Sequence, residues 1–335
     1  LQLRAMTGLE EAQQRLAEIP LLQVTPNEPL WRHTRFGLGG PAAVFACTQD
    51  EAAFVEAVRA VRISGAPWVV IGMGTNLIVS DDGFPGVVLR YDGSQIRVEG
   101  CRVCAEAGAA LQSLVDATID ASLQGYEPMT GIPGNVGAAI YGNAGAYGAS
   151  ISDRIVRVRY FDGAAIRETD HAGCGFRYRE SEFKRRRLGG EPWLILSAEF
   201  AFPEGDAAEL RRKADDILAI RNRKYPPEMK CAGSIFKNLL WDKLPERARA
   251  AAPAEVIKGG KVPAAWFLDR AGAKGLAAGG IRVSADHANT LYNAGGGTAA
   301  EFLSLVAELK RRVREQFGIE LEEEVQYIGF GEVTR

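Results

Sequence analysis

Apolar residues recur along this chain at two spacings, and the alternation between them sets its elements. Residues 9–19 repeat at helical spacing and stop at Pro20. Residues 51–64 put Phe54, Val58 and Val61 on one face, with Thr48 and Glu51 spaced as a capping box ahead of them. The β-branched runs on either side, 43–47 and 68–71, predict a strand–helix–strand unit. Short strands are expected at 87–91, 95–98 and 101–107, then a helix over 109–121 with Leu111, Leu114, Val115 and Thr118 inward. Strands resume at 154–161, with a hairpin turn at Asp162-Gly163, and at 191–202. A helix over 207–224, with Leu210, Ala214, Ile217 and Leu218 inward, ends at Tyr225-Pro226-Pro227 and leads to a second domain. There a helix is expected over 264–271, a strand at 281–283 and a long helix from the Thr298/Glu301 box to Gly318. Phe302, Leu305, Leu309, Val313 and Phe317 stripe that helix, and a last strand lies within 322–329. Many short strands without strand–helix alternation make this an α+β chain.

Two glycine-rich stretches interrupt the pattern. Gly72-x-Gly74 follows the strand at 68–71, so the backbone can turn sharply there and present its amides to a phosphate or pyrophosphate. It is not a Rossmann fingerprint, because Leu77 fills the third small position and 77–80 reads as a strand rather than a helix. The bland alternative is a tight connection. Residues 131–148 hold six glycines and four alanines among Ile, Val and Tyr, which suits a loop that lets backbone approach a large flat ligand. A linker would favour Ser and charge instead. A third cluster, Gly37-x-Gly39-x-x-Ala42, imitates a dinucleotide motif, but no strand precedes it; it reads as a decoy that could still line a cofactor.

The 335 residues suffice for two or three domains, and 47% hydrophobic with 24% charged residues is ordinary for a globular protein. A net charge of −2 gives no reason to expect nucleic acid or an anionic membrane as partner. No segment has the apolar length to span a bilayer, and Leu1 to Thr7 lacks a signal core, so cytoplasmic location is expected, with the true start expected at Met6 or upstream. Five scattered cysteines fit a reducing compartment. Cys101-x-x-Cys104 sits in a strand-like run whose positions three apart face opposite ways, so buried structural thiols are expected and no metal.

Seven motifs then occur in order: Thr34 with Gly39-Gly40, Gly72-x-Gly74-x-Asn76-Leu77-Ile78-Val79-Ser80-Asp81, Gly131-Ile132-Pro133-Gly134, Asn143-Ala144-Gly145-Ala146-Tyr147-Gly148, Phe176-x-Tyr178-Arg179-x-Ser181-x-Phe183, Gly233-Ser234-x-Phe236-Lys237-Asn238 and Glu324-Val325. As an ordered set covering residues 34 to 329, they resemble the UDP-N-acetylenolpyruvoylglucosamine reductase family of bacterial cell-wall flavoenzymes. The resemblance implies the FAD-binding fold of the p-cresol methylhydroxylase and vanillyl-alcohol oxidase type, plus a C-terminal α+β substrate domain. It implies FAD-binding subdomains over 1–92 (joined by 322–335) and 93–206, and a substrate domain over 207–321. It further implies FAD bound non-covalently, with its pyrophosphate at Gly72, Met73, Gly74, Thr75, Asn76 and Leu77. Gly131, Ile132, Pro133, Gly137, Ala138, Asn143, Ala144 and Gly145 are expected nearer the flavin.

The family reduces UDP-N-acetyl-3-O-(1-carboxyvinyl)glucosamine to UDP-N-acetylmuramate for peptidoglycan. NADPH reduces FAD, and hydride then passes to the substrate's C3. Negative charge develops at C2 beside a carboxylate, which calls for cationic groups there and a proton donor. By resemblance Arg179 is the catalytic arginine, Ser234 the proton donor and Glu324 the acid that stabilises or relays charge. Read from the residues alone, each has a plain alternative: a surface arginine, a Gly-Ser turn, and one more solvated acid beside Glu322 and Glu323. Substrate contacts are implied at Tyr147, Lys224, Asn238, Lys274 and His287. The run Lys184 to Arg187 reads as a solvated basic face. The short connection before Gly233 lacks the long tyrosine-bearing insertion of one branch, so the shorter-loop branch is expected. The resemblance also implies a two-step exchange in which NADPH and the nucleotide sugar take turns, with no obligate protein partner. An oxidase on the same fold and a binding protein without turnover are the alternative readings.

Overall fold

A computed structural model describes residues 6–331. Most of Leu1 to Thr7 and the tail of the 322–335 segment therefore lie outside the described residues. Contacts divide the chain into two units, one of residues 1–28, 42–73 and 85–223, the other of 29–41, 74–84 and 224–335.

The first unit contains two sheets and two apolar cores. One sheet runs in the order Gln23–Pro29, Pro41–Thr48, Phe84–Tyr91, Trp68–Val70, the last two parallel. Against it lies the Glu51–Ser64 helix, whose Phe54, Val58 and Val61 are buried as the spacing predicted. Its cap differs from expectation. Asp50, not Thr48, accepts from the Ala53 amide at 2.8 Å, and the Thr48 hydroxyl donates to the Leu21 carbonyl at 2.8 Å while accepting from the Asp50 amide. Asp50 sits two residues nearer the first turn, so its shorter reach wins.

The second sheet is antiparallel throughout, in the order Ile166–Asp170, Ile155–Phe161, Leu194–Ala201, Arg102–Glu106, Ile96–Glu99. The hairpin at Asp162-Gly163 closes as expected, with the Asp162 carboxylate taking the Ala164 and Ala165 amides. The Leu111–Asp120 helix buries Leu111, Leu114, Val115 and Thr118 beneath this sheet. Cys101 and Cys104 are both exposed, which corrects the expectation of buried thiols. They sit on the short outer hairpin formed by Ile96–Glu99 and Arg102–Glu106, where no layer covers them.

Two further expectations change. Residues 131–148 are not one loop: Val136–Gly142 is a helix, capped by Asn135 accepting from the Ala138 amide. Small residues that let backbone pack closely also let it coil, and an Asn cap was available to start the turn. The Ala207–Lys224 helix has the predicted bounds but buries only Leu210 and Ala214, leaving Leu218 36% exposed. A strand, Gln23–Pro29, also precedes the 37–42 cluster, contrary to the sequence reading.

The second unit is built on one core. The Ala299–Phe317 helix carries the Thr298/Glu301 capping box, ends at Gly318 in the left-handed region, and buries Phe302, Leu305, Leu309, Val313 and Phe317. Its first amides also reach Asp81, which accepts from Ala299 at 2.9 Å. A four-stranded antiparallel sheet runs Cys231–Ser234, Thr290–Asn293, Ile281–Val283, Ala277–Ala278. The Gln326–Ile328 strand pairs in parallel with Leu77–Val79.

Candidate active site

In the first unit the chemistry gathers around a tight turn. Arg177 and Glu180 exchange backbone hydrogen bonds at 3.0 and 3.1 Å, so Arg179 occupies a turn position with φ +56°, unusual for a side chain of its size. Its guanidinium reaches the carbonyls of Asn143, at 3.4 Å, and Gly145, at 3.0 Å, and lies over the Tyr178 ring. The Asn143 amide in turn donates to the Arg177 carbonyl at 2.9 Å. Arg179 is thus tied to Asn143 and Gly145, two residues expected to hold the cofactor. Just beyond them Gly145–Ala146 and Ala149–Ser150 form a hairpin whose tip, Tyr147 (φ +49°) and Gly148 (φ +88°), points Tyr147 into solvent at 47% exposure.

The basic run beside this turn is not a solvated face. Lys184 donates to the Arg179 carbonyl at 3.2 Å, and Arg185 pairs with Glu180 and Glu182 and donates to the Gly175 carbonyl. Ser181 caps the Glu182–Leu188 helix and donates to the Tyr141 carbonyl at 2.7 Å. These side chains brace the turn that presents Arg179.

Several features of this unit fit a flavin dinucleotide. A Cβ on Gly72 would stand 2.6 Å from Asn135 Oδ1, the atom that caps the Val136–Gly142 helix, so the backbone at Gly72 comes as close to that helix start as glycine allows. Met73 beside it is 50% exposed. Two buried oxygens, Thr130 Oγ1 and Asn143 Oδ1, have no hydrogen-bond partner among the described residues. They bracket Gly131, Ile132, Pro133, Gly137 and Ala138, and a ring carrying N–H donors would satisfy them. Thr130 was missed from sequence because a lone threonine before a glycine carries no signal of its own.

The chain enters the second unit at Gly74, where φ is +65° and a Cβ would meet the His33 carbonyl at 1.8 Å. Asn76, next but one, donates to the Glu324 carbonyl at 3.0 Å and accepts from the Gln326 amide, while Leu77 heads the strand beside Gln326–Ile328. Thr75 lies between them in the same turn. Glu324 is held from its other side, its amide donating to the Ile235 carbonyl at 2.7 Å. The Lys237 amide donates to Glu322 and Phe236 bridges Glu323, so residues 235–237 and 322–324 run antiparallel. This pairing sets Glu324 beside the segment that carries Ser234.

Ser234 ends the Cys231–Ser234 strand, where Cys231 opposes Tyr292 and Ser234 opposes Thr290. The extra residue makes a β-bulge at Gly233, φ +75°, and a bulge re-aims the side chain that follows it. Ser234 Oγ lies 3.2 Å from the hydroxyl of Tyr225, whose ring packs against His287 at 5.8 Å between centroids. His287 Nδ1 pairs with Thr290 Oγ1 at 3.0 Å. Burial pushes the His287 ring below the usual imidazole range, and the ammonium groups of Lys224 and Lys274 push it further. Lys224, Ser234, Lys274 and His287 are therefore neighbours in one unit. Asn238 accepts from the Ala264 amide at 3.3 Å. Tyr225 went unmarked in the sequence, where it reads only as the residue before two prolines.

A sequence profile described as the UDP-N-acetylenolpyruvoylglucosamine reductase C-terminal domain matches residues 225–328, and an FAD-binding domain profile matches 41–165. The reductase of that name from Solibacter usitatus is 57% identical over 315 residues, which is 94% of this chain and all of the relative. The chain belongs to the UDP-N-acetylenolpyruvoylglucosamine reductase family. The Heliobacterium modesticaldum reductase is 35% identical over 306 residues, 90% of each chain. A crystal structure of UDP-N-acetylenolpyruvylglucosamine reductase from Thermus caldophilus superposes with a TM-score of 0.70 at 29% identity, covering 92% of this chain and 98% of that one. The chain is thus an FAD-dependent oxidoreductase with the expected α+β, FAD-binding fold. No helix of the described residues is long and apolar enough to cross a membrane.

Proposed function

We propose that this chain reduces UDP-N-acetylenolpyruvoylglucosamine to UDP-N-acetylmuramate in the cytoplasm, with NADPH as the electron donor and no obligate protein partner. Residues 1–92 and 93–206 serve FAD in this reading, and residues 207–321 the nucleotide sugar. The observation that supports it most is the grouping of a serine hydroxyl with Lys224, Lys274 and a His287 whose proton affinity is depressed. Ammonium groups suit the diphosphate of a nucleotide sugar. FAD, when bound, supplies the hydride for the substrate's C3.

The remaining steps belong to side chains. Arg179, which stays protonated, holds the substrate carboxylate and lowers the cost of charge at C2. Ser234 then gives its proton to C2. Glu324 steadies charge at the same end, and its backbone is fixed on both sides by Asn76 and Ile235. Tyr147, Asn238, Lys224, Lys274 and His287 orient the substrate. Thr130 and Asn143 would accept hydrogen bonds from the flavin, and the turn at Gly72 to Leu77 would hold the pyrophosphate.

Anaerobic half-reactions test the proposal. The purified yellow protein should bleach with NADPH and recolour with enolpyruvyl-UDP-GlcNAc. Recolouring by oxygen but not by that substrate would point to an oxidase, and a colourless protein to a binding module. Ser234→Ala should keep the bleaching and lose the recolouring. Initial-rate patterns should be parallel in double-reciprocal form; intersecting lines would refute the exchange of NADPH and sugar.

A further inference from the structure

We infer that Tyr225 is a positioning residue for Ser234: its phenol donates to Ser234 Oγ, frees the serine proton for delivery and stabilises the oxygen as that proton leaves. The inference rests on the reading of Ser234 as proton donor. A serine hydroxyl carries one hydrogen and two acceptor sites. If Ser234 spent its hydrogen on Tyr225, none would remain for C2. With Tyr225 as donor, across the 3.2 Å between the two oxygens, the serine hydrogen is available.

The step then balances. The Ser234 O–H bond breaks, a C2–H bond forms, and the electron pair left on Oγ is held by the Tyr225 hydrogen bond until water returns a proton to it. A serine hydroxyl is a poor acid, so a donor aimed at the developing charge is what it lacks most.

The geometry around Tyr225 is that of a fixed group. It follows the last residue of the Ala207–Lys224 helix and precedes Pro226-Pro227, which bars the helical region at its own backbone. The Met229 amide donates to the Pro226 carbonyl at 2.9 Å, so the chain doubles back into the Cys231–Ser234 strand. His287, itself anchored to Thr290, packs against the phenol ring. From the other side the bulge at Gly233 aims Ser234. Both residues are therefore held on constrained backbone that brings their hydroxyls together.

Tyr225→Phe keeps the ring and its packing and removes only the donor. In anaerobic stopped-flow with the FAD-loaded protein, reoxidation by enolpyruvyl-UDP-GlcNAc should slow between about 10- and 100-fold, as expected for losing a hydrogen bond to a developing charge. The solvent deuterium isotope effect on that step should rise, because proton transfer becomes limiting; a merely structural role would not raise it. In a Ser234→Cys background, where the donor is already acidic, the same change should cost less than threefold.

Equal slowing in both backgrounds would mean that Tyr225 does not act through Ser234, and would overturn the inference. So would unchanged reoxidation in Tyr225→Phe while Ser234→Ala is slow, which leaves the serine reading intact. Ser234→Ala as fast as wild type would sink that reading and this inference with it. Should Tyr225→Phe fail to fold by circular dichroism, 3-fluorotyrosine at position 225, which keeps the donor, should reoxidise within twofold of wild type or faster, and a tenfold fall would refute the role.

Discussion

Asn289 holds the segment that presents Ser234, and truncating it should cost more than a typical core polar change. Its side chain is 2% exposed, with Oδ1 accepting from the Phe236 amide at 2.9 Å and Nδ2 donating to the Phe236 carbonyl at 2.8 Å. Asn289→Ala removes both bonds and leaves a buried N–H and a buried C=O on Phe236 without partners. Each orphaned group costs about 1–3 kcal/mol, so the loss should total about 4 kcal/mol. The neighbouring bond from the Ile235 amide to the Asn289 carbonyl, 2.9 Å, is backbone and survives, which keeps the estimate from rising further. At roughly 3 °C per kcal/mol for a body of this size, the melting temperature of the second unit should fall about 12 °C. Asn289→Asp retains the acceptor for the Phe236 amide but sets a carboxylate oxygen against the Phe236 carbonyl, and should fall at least as far. Urea denaturation monitored by tryptophan fluorescence and by FAD release would resolve the second unit from the first. An Asn289→Ala protein within about 0.5 kcal/mol of wild type, the range of an ordinary surface change, would refute the accounting.

Gly72→Ala would drive a methyl group into Asn135 Oδ1, so FAD affinity should weaken at least tenfold in a fluorescence titration, with the second unit's melting unaffected. His287 has a lower proton affinity folded than unfolded, where its value is about 6.5. The unfolded chain therefore binds the extra proton first: the stability tied to the neutral ring is complete above that value and is lost as pH falls below it. His287→Gln should flatten this part of the urea-midpoint profile between pH 8 and pH 5, and an unchanged slope would count against it. Among the cysteines, exposed Cys101 and Cys104 should be alkylated in the native protein. Cys174, buried and pushed up to about 12, should react only after unfolding, as peptide mapping would show.

The periodic helices were legible because amphipathic spacing and caps are local: the Ala299–Phe317 stripe, its box and its Gly318 stop all follow from residues within a few positions of one another. Asp50 displaced Thr48 as a cap because two adequate acceptors stood two residues apart, and only the path of the preceding strand, which ties Thr48 to Leu21, chose between them. The helix inside 131–148 was hidden because its residues are too small to show an apolar face. The pairing of 322–324 with 235–237 joins segments about 90 positions apart, and spacing within either one is silent about it. Tyr225 was hidden for the same reason, since its meaning lies in where the chain returns after the prolines. The run 184–187 misled because a count of charges does not say which carbonyls and carboxylates face them.

Backbone strain in the first unit collects where the site residues are. Six non-glycine residues have positive φ among the described residues, and three of them are Asn143, Tyr147 and Arg179. For side chains other than Asn the left-handed region costs about 1–2 kcal/mol each, so two of the three positions carry a real penalty. The penalty is offset locally. Arg179 gains two carbonyl contacts, its own carbonyl gains Lys184, and Arg185 ties down Glu180 at the end of the same turn. Tyr147 has Gly148 as its turn partner and the two-residue ladder Gly145–Ala146 against Ala149–Ser150. What the strain secures is direction: a type of turn with a left-handed arginine swings the guanidinium back onto the Asn143–Gly145 backbone, and a left-handed tyrosine throws its ring outward at a hairpin tip. Relaxing either backbone would lower the local energy and lose the aim. It follows that Lys184→Ala, which removes a brace without touching the guanidinium, should slow reoxidation by the substrate while leaving the melting temperature nearly unchanged. A large drop in melting temperature with normal reoxidation would show instead that the brace serves the fold and not the direction of Arg179.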